Sequence, residues 1–233
     1  MHVPDGFFDA PTSVAAGGVA LVGVAACLHG ARRELDERTA PLAGLVAAFV
    51  FAVQMLNFPV GAGTSGHLMG GALAAVLIGP WAGALAVTVV LLVQALLFAD
   101  GGLSALGINV ILMAMVTALV GYGVFKLVMG VMPKRLASVP LAAGIGAFVS
   151  VPVAAVVFVG FYAIGGTADI SLGAVASAMI GVHLLIGIGE GVITGLTVGS
   201  VIAVRPDLVY GARRLLPRPQ LELRPASTRE TTS

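Results

Sequence analysis

Charge is what this sequence has least of. Only 10% of its 233 residues are Asp, Glu, Lys or Arg, against roughly 25% in an ordinary soluble domain, and that scarcity excludes a water-soluble fold of this size. Cysteine is nearly missing as well. With Cys27 alone, an intramolecular disulfide and a Cys-based zinc cluster are both excluded. The opening residues MHVPDGFFDAPTS have acids where a signal peptide carries a positive segment, so they are read as retained in the mature chain.

What is present is apolar. Hydrophobic residues make up 58% of the chain, and its 32 glycines follow no three-residue period that would indicate a fibre. A spanning helix takes about 20 residues, so a chain of this length holds at most about eight or nine spans. No room remains for a folded ATPase domain or a large extramembrane enzyme. The reading is a polytopic, all-α membrane protein.

Apolar runs predict helices at Thr12–His29, Ala40–Asn57, His67–Ile78, Ala82–Ala99, Leu106–Met129, Leu141–Ile164 and Gly173–Val204. That makes about seven transmembrane helices, the third long enough only if it starts in the glycine-rich stretch before His67. Gly79 and Pro80 mark a tight turn into the fourth. The 12 Lys and Arg residues then fall at Arg32, Arg33 and Arg38, at Lys126, Lys134 and Arg135, and at Arg205, Arg213, Arg214, Arg218, Arg224 and Arg229. In a seven-span arrangement all lie on one side, and basic residues stay in the cytoplasm. The N-terminus is therefore expected outside and the C-terminus inside, with Asp5, Asp9, Asp100 and Asp169 making an acidic outer face. Residues 1–212 form the membrane unit and 213–233 a cytoplasmic tail too polar to order itself. The two halves show no convincing internal repeat, which argues against an inverted-repeat transporter.

The chemistry is concentrated at the first two residues. The amine of Met1, the peptide nitrogen of His2 and Nδ1 of its imidazole can close adjacent five- and six-membered chelate rings around one ion. Three nitrogens in a plane suit Ni(II) or Cu(II), and Co(II) less strongly. A histidine in second position leaves the fourth corner open. The plain alternative is a chance histidine on a mobile terminus, but Pro4, Asp5 and Gly6 signal a turn before the apolar pair Phe7 and Phe8, which folds residues 1–11 back as a metal loop. The candidate fourth ligand is His67, in NFPVGAGTSGHLMGG. Gly61, Gly63 and Gly66 allow close backbone approach there, Pro59 stops the preceding helix, and His67 opens the next; a capping or surface histidine is the competing reading.

Other polar groups are spaced along the apolar helices. Gln54, Asn57, Gln94 and Asn109 fall near outer helix ends, where they can orient metal-bound imidazoles or simply bond between helices at about 0.6 kcal/mol each. Asp100 can draw cations or cap the helix that follows. His183 and Glu190 share a face of the last helix, as a structural pair or as a proton or ion relay, and helix direction carries both towards the inner half. His29 beside Arg32 and Arg33 reads as an interfacial histidine. Gly187, Gly191, Gly195 and Gly199 form a smooth stripe on the last helix, and Gly44, Ala48 and Ala52 one on the second. Such stripes pack within the bundle or against another membrane protein.

Three segments resemble a known family: MHVPDGFF, FPVGAGTSGHLMGGALAAVLIGPWAG and LLVQALLFADGGLSALGINV. Together they resemble the CbiM/NikM family, the substrate-binding membrane subunits of energy-coupling-factor (ECF) ABC transporters for cobalt and nickel, over about residues 1 to 200. The resemblance implies seven helices with the external N-terminus inserted into the bundle and Met1, His2 and His67 as metal ligands. It implies as partners a transmembrane coupling protein, cytoplasmic ATPases and a small accessory membrane subunit, in a prokaryotic cell membrane. The chain is then no enzyme and has no permanent cofactor; Ni(II) or Co(II) is its cargo, and no nucleic acid is involved. Gly63-Thr64-Ser65-Gly66-His67-Leu68 resembles the nickel-type members, whereas Ile111-Leu112 departs from a common Phe-Asn and leaves a role for Asn109 in question. The rival readings are an ECF-type subunit for an organic micronutrient, which has no need of Met1-His2, and a proton-driven permease using His183 and Glu190. An intramembrane metalloprotease would need a denser cluster than His183 and Glu190.

Overall fold

The computed structural model describes residues 1–35, 39–56, 58–61 and 64–217. Asn57, Gly63, Arg38 and the tail from residue 218 lie outside the described residues. Each expected helix is found, with shifted ends: α1 Ala10–Ala31, α2 Ala40–Gln54, α3 Gly71–Ile78, α4 Pro80–Leu97, α5 Leu106–Val131, α6 Val139–Gly165 and α7 Leu172–Val204. Five of them, α1 and α4 to α7, are long and apolar enough to cross a membrane; α2, at 15 residues, is shorter. Between α2 and α3 the strands Phe58–Gly61 and Thr64–Gly66 pair antiparallel.

The helix starts follow from local chemistry. Proline occupies the first turn of α1, α2, α4 and α6, where its missing N–H costs nothing. Asp9 caps α1 by accepting from the Thr12 N–H at 2.8 Å. Gly79, at φ 104°, makes the turn expected between α3 and α4. Glu34, from the connection after α1, accepts from the backbone N–H groups of Trp81 and Ala82 at 2.9 and 2.8 Å and so caps α4. α5 contains a π-helical segment, Val110–Val116.

α3 is the centre of the bundle. All eight of its residues are buried, and it packs against α2, α4, α5, α6 and α7. Antiparallel approach of α3 and α4 requires Gly83, because a Cβ there would lie 2.6 Å from the Ala75 nitrogen. The lipid side of the bundle is carried by exposed Leu and Val, such as Val14, Leu21, Leu185 and Leu196. The α7 glycine stripe turns inward: Gly191 meets the Gly144 carbonyl and Gly187 the Phe148 carbonyl of α6. The α2 stripe of Gly44, Ala48 and Ala52 is exposed.

Two expectations need correction. The tail was expected to begin at Arg213, yet Tyr210–Leu215 forms a 3-10 helix with Ala212 buried. It is held because Arg213 reaches the Glu34 carbonyl at 3.3 Å and stacks over Tyr210. His67 does not open a helix: Gly70, at φ 75°, caps α3, and residues 67–70 have no regular secondary structure before it.

Placing a side chain at Gly83 drives it into backbone, so Gly83→Ala is expected to cost about 1–3 kcal/mol. Its melting temperature in detergent should fall clearly below that of Gly44→Ala, whose added Cβ meets nothing within 4 Å; equal melting of the two variants would contradict this packing.

Candidate metal centre

The N-terminal segment enters the interior of the bundle, held by hydrogen bonds on both sides of its turn at Pro4 to Gly6. On one side, Asn109 of α5 accepts from the Val3 N–H at 2.9 Å and donates to the Val3 carbonyl at 3.3 Å, and the Gly102 N–H donates to that carbonyl at 2.7 Å. On the other, Asp9 N–H donates to the Gly165 carbonyl at 2.8 Å and Thr167 N–H to the Phe7 carbonyl at 3.1 Å. Asp5 accepts from the Ser104 N–H and hydroxyl, both at 2.7 Å, and these bonds hold its carboxyl below the usual range. Phe7 and Phe8 pack at 5.8–6.4 Å against Phe158, Phe161 and Tyr162 of α6, contacts worth about 0.5–1.5 kcal/mol each. Pro4 to Gly6 make the expected turn, with Gly6 at φ 75°.

This segment buries Met1 and His2, which are 1% and 5% exposed. His67, fully buried, stacks on the His2 ring with centroids 4.5 Å apart and planes at 28°. The hydrogen bonds assign the protons. A carbonyl oxygen only accepts, so His67 Nδ1 carries the hydrogen it donates to the Leu68 carbonyl at 2.7 Å, and Nε2 keeps its lone pair. His2 Nε2 likewise donates to Gln94 Oε1 at 3.2 Å, which leaves Nδ1 as the lone-pair nitrogen. That nitrogen lies 3.2 Å from Asp100 Oδ1, without hydrogen-bond alignment.

Among the described residues, the buried side-chain atoms without a hydrogen-bond partner are His2 Nδ1, His67 Nε2, His183 Nε2 and Gln54 Oε1. Buried polar groups are nearly always satisfied, so the unpartnered Nδ1 of His2 and Nε2 of His67 on two stacked rings stand out as a candidate site for an electrophile. Burial pushes the Met1 amine down to about 4, against the opposing charges of Asp100 and Glu190. Burial, the neighbouring amine and His2 likewise hold His67 well below its ordinary value. The Met1 amine and the His67 imidazole are thus neutral donors. Among the described residues, no three His, Cys, Asp or Glu side chains are arranged around a metal.

The remaining candidates fall into place unequally. Gln94 touches a candidate ligand directly, as expected of an orienting amide. Asn109 instead holds the Val3 backbone, and Gln54 Nε2 donates to the Met69 carbonyl at 2.6 Å. Asp100 lies beside His2 rather than capping α5. His29 is exposed beside Arg33, 3.4 Å away. His183 and Glu190 do not form a pair: seven residues of helix separate them by about 10 Å, and their partners differ. His183 Nδ1 donates to the Met179 carbonyl at 2.7 Å. Glu190 accepts from the backbone N–H groups of Met69 and Gly70 at 2.5 and 2.7 Å. Both lie within electrostatic reach of the Met1 amine, nearer to the N-terminal residues than the direction of α7 suggested. Nothing in the local sequence of either residue signals this, because the contacts span more than a hundred positions.

Comparison with known proteins agrees with this architecture. The family described as CbiM, cobalt uptake substrate-specific transmembrane region, matches residues 2–208. A protein of Archaeoglobus fulgidus assigned as the fused nickel transport protein NikMN is 41% identical over 211 residues, covering 90% of this chain and 68% of that protein. The cobalt transport protein CbiM of Sorangium cellulosum is 36% identical over 218 residues, covering 90% and 94%. The crystal structure of a truncated transition metal transporter superposes with a TM-score of 0.80 at 31% identity, covering 87% of this chain and 99% of that one. The chain belongs to the CbiM family, and it is a multi-pass membrane subunit of cobalt/nickel transport.

Proposed function

We propose that this subunit captures a dehydrated Ni(II) ion from the outer side of the membrane through four nitrogens: the Met1 amine, the His2 peptide nitrogen, His2 Nδ1 and His67 Nε2. The observation that carries this reading is the burial of the first two residues against His67, with every imidazole proton already assigned away from the shared space. Four nitrogen donors in a plane favour nickel over cobalt, as does the GTSGHL segment around His67. Gln94 fixes the His2 tautomer from outside, and Asp100 supplies negative charge at the entrance. A micronutrient-binding subunit would have no use for this arrangement, and a relay through His183 and Glu190 has no direct contact to run along.

The chain crosses the membrane about seven times in this reading, with Met1 outside and the C-terminus in the cytoplasm. Support comes from the charge distribution: Lys126, Lys134 and Arg214 line one cavity with Glu34 and Trp81, Arg33 lines a neighbouring one, and both lie at the end of the bundle remote from Met1. Basic residues belong on the cytoplasmic side. Residues 1–212 make the membrane unit. ATP-driven import into the cell then depends on an ECF coupling protein and cytoplasmic ATPases, with a small accessory membrane subunit beside them; no Walker motif exists in this chain.

Extending the chain before Met1 removes the amine from the donor set. A one-residue N-terminal extension should weaken Ni(II) binding by more than about 100-fold, exceeding the 10–100-fold typical of an outer partner, as read by equilibrium dialysis of purified protein. His67→Ala should lose most binding and His29→Ala none; the reverse pattern would refute the ligand assignment. Coordination also displaces a proton from the His2 peptide nitrogen, so affinity should fall as pH drops. A Ni(II) affinity unchanged between pH 8 and pH 6 would contradict an amide ligand.

A further inference from the structure

Glu190 is a buried carboxylate in the middle of α7, 2% exposed, and a bare charge at such depth is expensive unless it is bonded. Its two oxygens accept from two consecutive backbone N–H groups, Met69 at 2.5 Å and Gly70 at 2.7 Å. Those two residues directly follow His67 and Leu68. Gly70 stands at φ 75°, in the left-handed region, where the chain turns into α3 directly after the two N–H groups that the carboxylate holds. Gln54 of α2 holds the Met69 carbonyl from the opposite side at 2.6 Å. The Leu68 carbonyl in turn fixes the His67 tautomer. The segment 67–70 has no regular secondary structure of its own; these side chains hold it in position.

We infer that Glu190 is a positioning residue for metal capture: its carboxylate clamps the Met69 and Gly70 backbone and thereby holds His67 Nε2 at the fourth corner of the site. α7 is thereby mechanically tied to the ligand. A shift of α7 along its glycine contacts with α6 moves the clamp, and with it His67, while Met1 and His2 stay fixed to α5 and to the connection after α6. Opening the fourth corner in this way is a route by which a partner acting on α7 lowers metal affinity without touching the site. This inference rests on the ligand set proposed above, and a neutral isostere tests it. Glu190→Gln keeps one accepting oxygen but turns an amine towards the second N–H, so one half of the clamp is lost.

The test is a double-mutant cycle with Ni(II) as the probe, in full-length protein with an unextended N-terminus. Glu190→Gln is expected to weaken Ni(II) binding by about 10–100-fold, the range for a group that orients a ligand. Its visible Ni(II) spectrum should shift in the same direction as that of His67→Ala. In the His67→Ala background the same substitution should change affinity less than about twofold, because residues acting through one another are not additive. Should Glu190→Gln fail to fold, Glu190→Asp keeps the charge and shortens the reach, and the same shift and non-additivity are expected of it. Wild-type spectrum and affinity in both Glu190 variants would overturn the inference, as would an equal loss of affinity with and without His67. A His67→Ala protein that binds Ni(II) like wild type would instead overturn the ligand set itself.

Discussion

Burial of the chain's first residues within the helix bundle is the constraint on which the site depends. Non-helical backbone carries unpaired N–H and C=O groups, and inside a membrane protein each must find a partner. Here those of Val3, Phe7 and Asp9 are met by Asn109, Gly102, Gly165 and Thr167, so the segment is held in place without belonging to a sheet. The Met1 amine has the same difficulty in stronger form. A charged amine cannot remain in such surroundings, and burial brings it towards the neutral state in which it can donate a lone pair. The interaction that fixes the segment therefore also prepares its chemistry.

The same logic explains why the shortest helix, α3, sits at the middle. α3 has no lipid-facing side at all, and its small residues and the Gly83 contact let α4 and α5 close around it. The irregular segment before it is thereby buried in protein, where non-helical backbone is tolerated. His67 comes to the site on that irregular segment. In the proposed capture, a ligand on a stretch held by side chains is easier to displace than one within a helix, which suits release as well as binding.

Much of this was legible in the sequence. Long apolar runs located the helices, Gly79-Pro80 located the turn between α3 and α4, and the Pro4 to Phe8 segment announced a terminus folded back on the protein. The Met1-His2 and His67 pairing could be read from chelate geometry, and they do lie together. Other features had no local signal. His67 looked like a helix start because the run that follows is apolar, yet Gly70 in a left-handed conformation delays the helix by four positions. Glu190 and His183 looked like a pair because spacing along one helix is visible, whereas a carboxylate bonding backbone 120 residues away is not. Arg213 looked like the start of a tail because composition does not reveal that it reaches Glu34 and Tyr210.

Four-nitrogen coordination through the Met1 amine is the central claim, and X-ray absorption at the nickel edge of the loaded protein beginning at Met1 tests it most directly. The account predicts a planar set of four nitrogen scatterers that includes imidazole and lacks sulfur. A carboxylate oxygen from Asp100, a thioether sulfur, or a six-coordinate ion dominated by oxygen would contradict it.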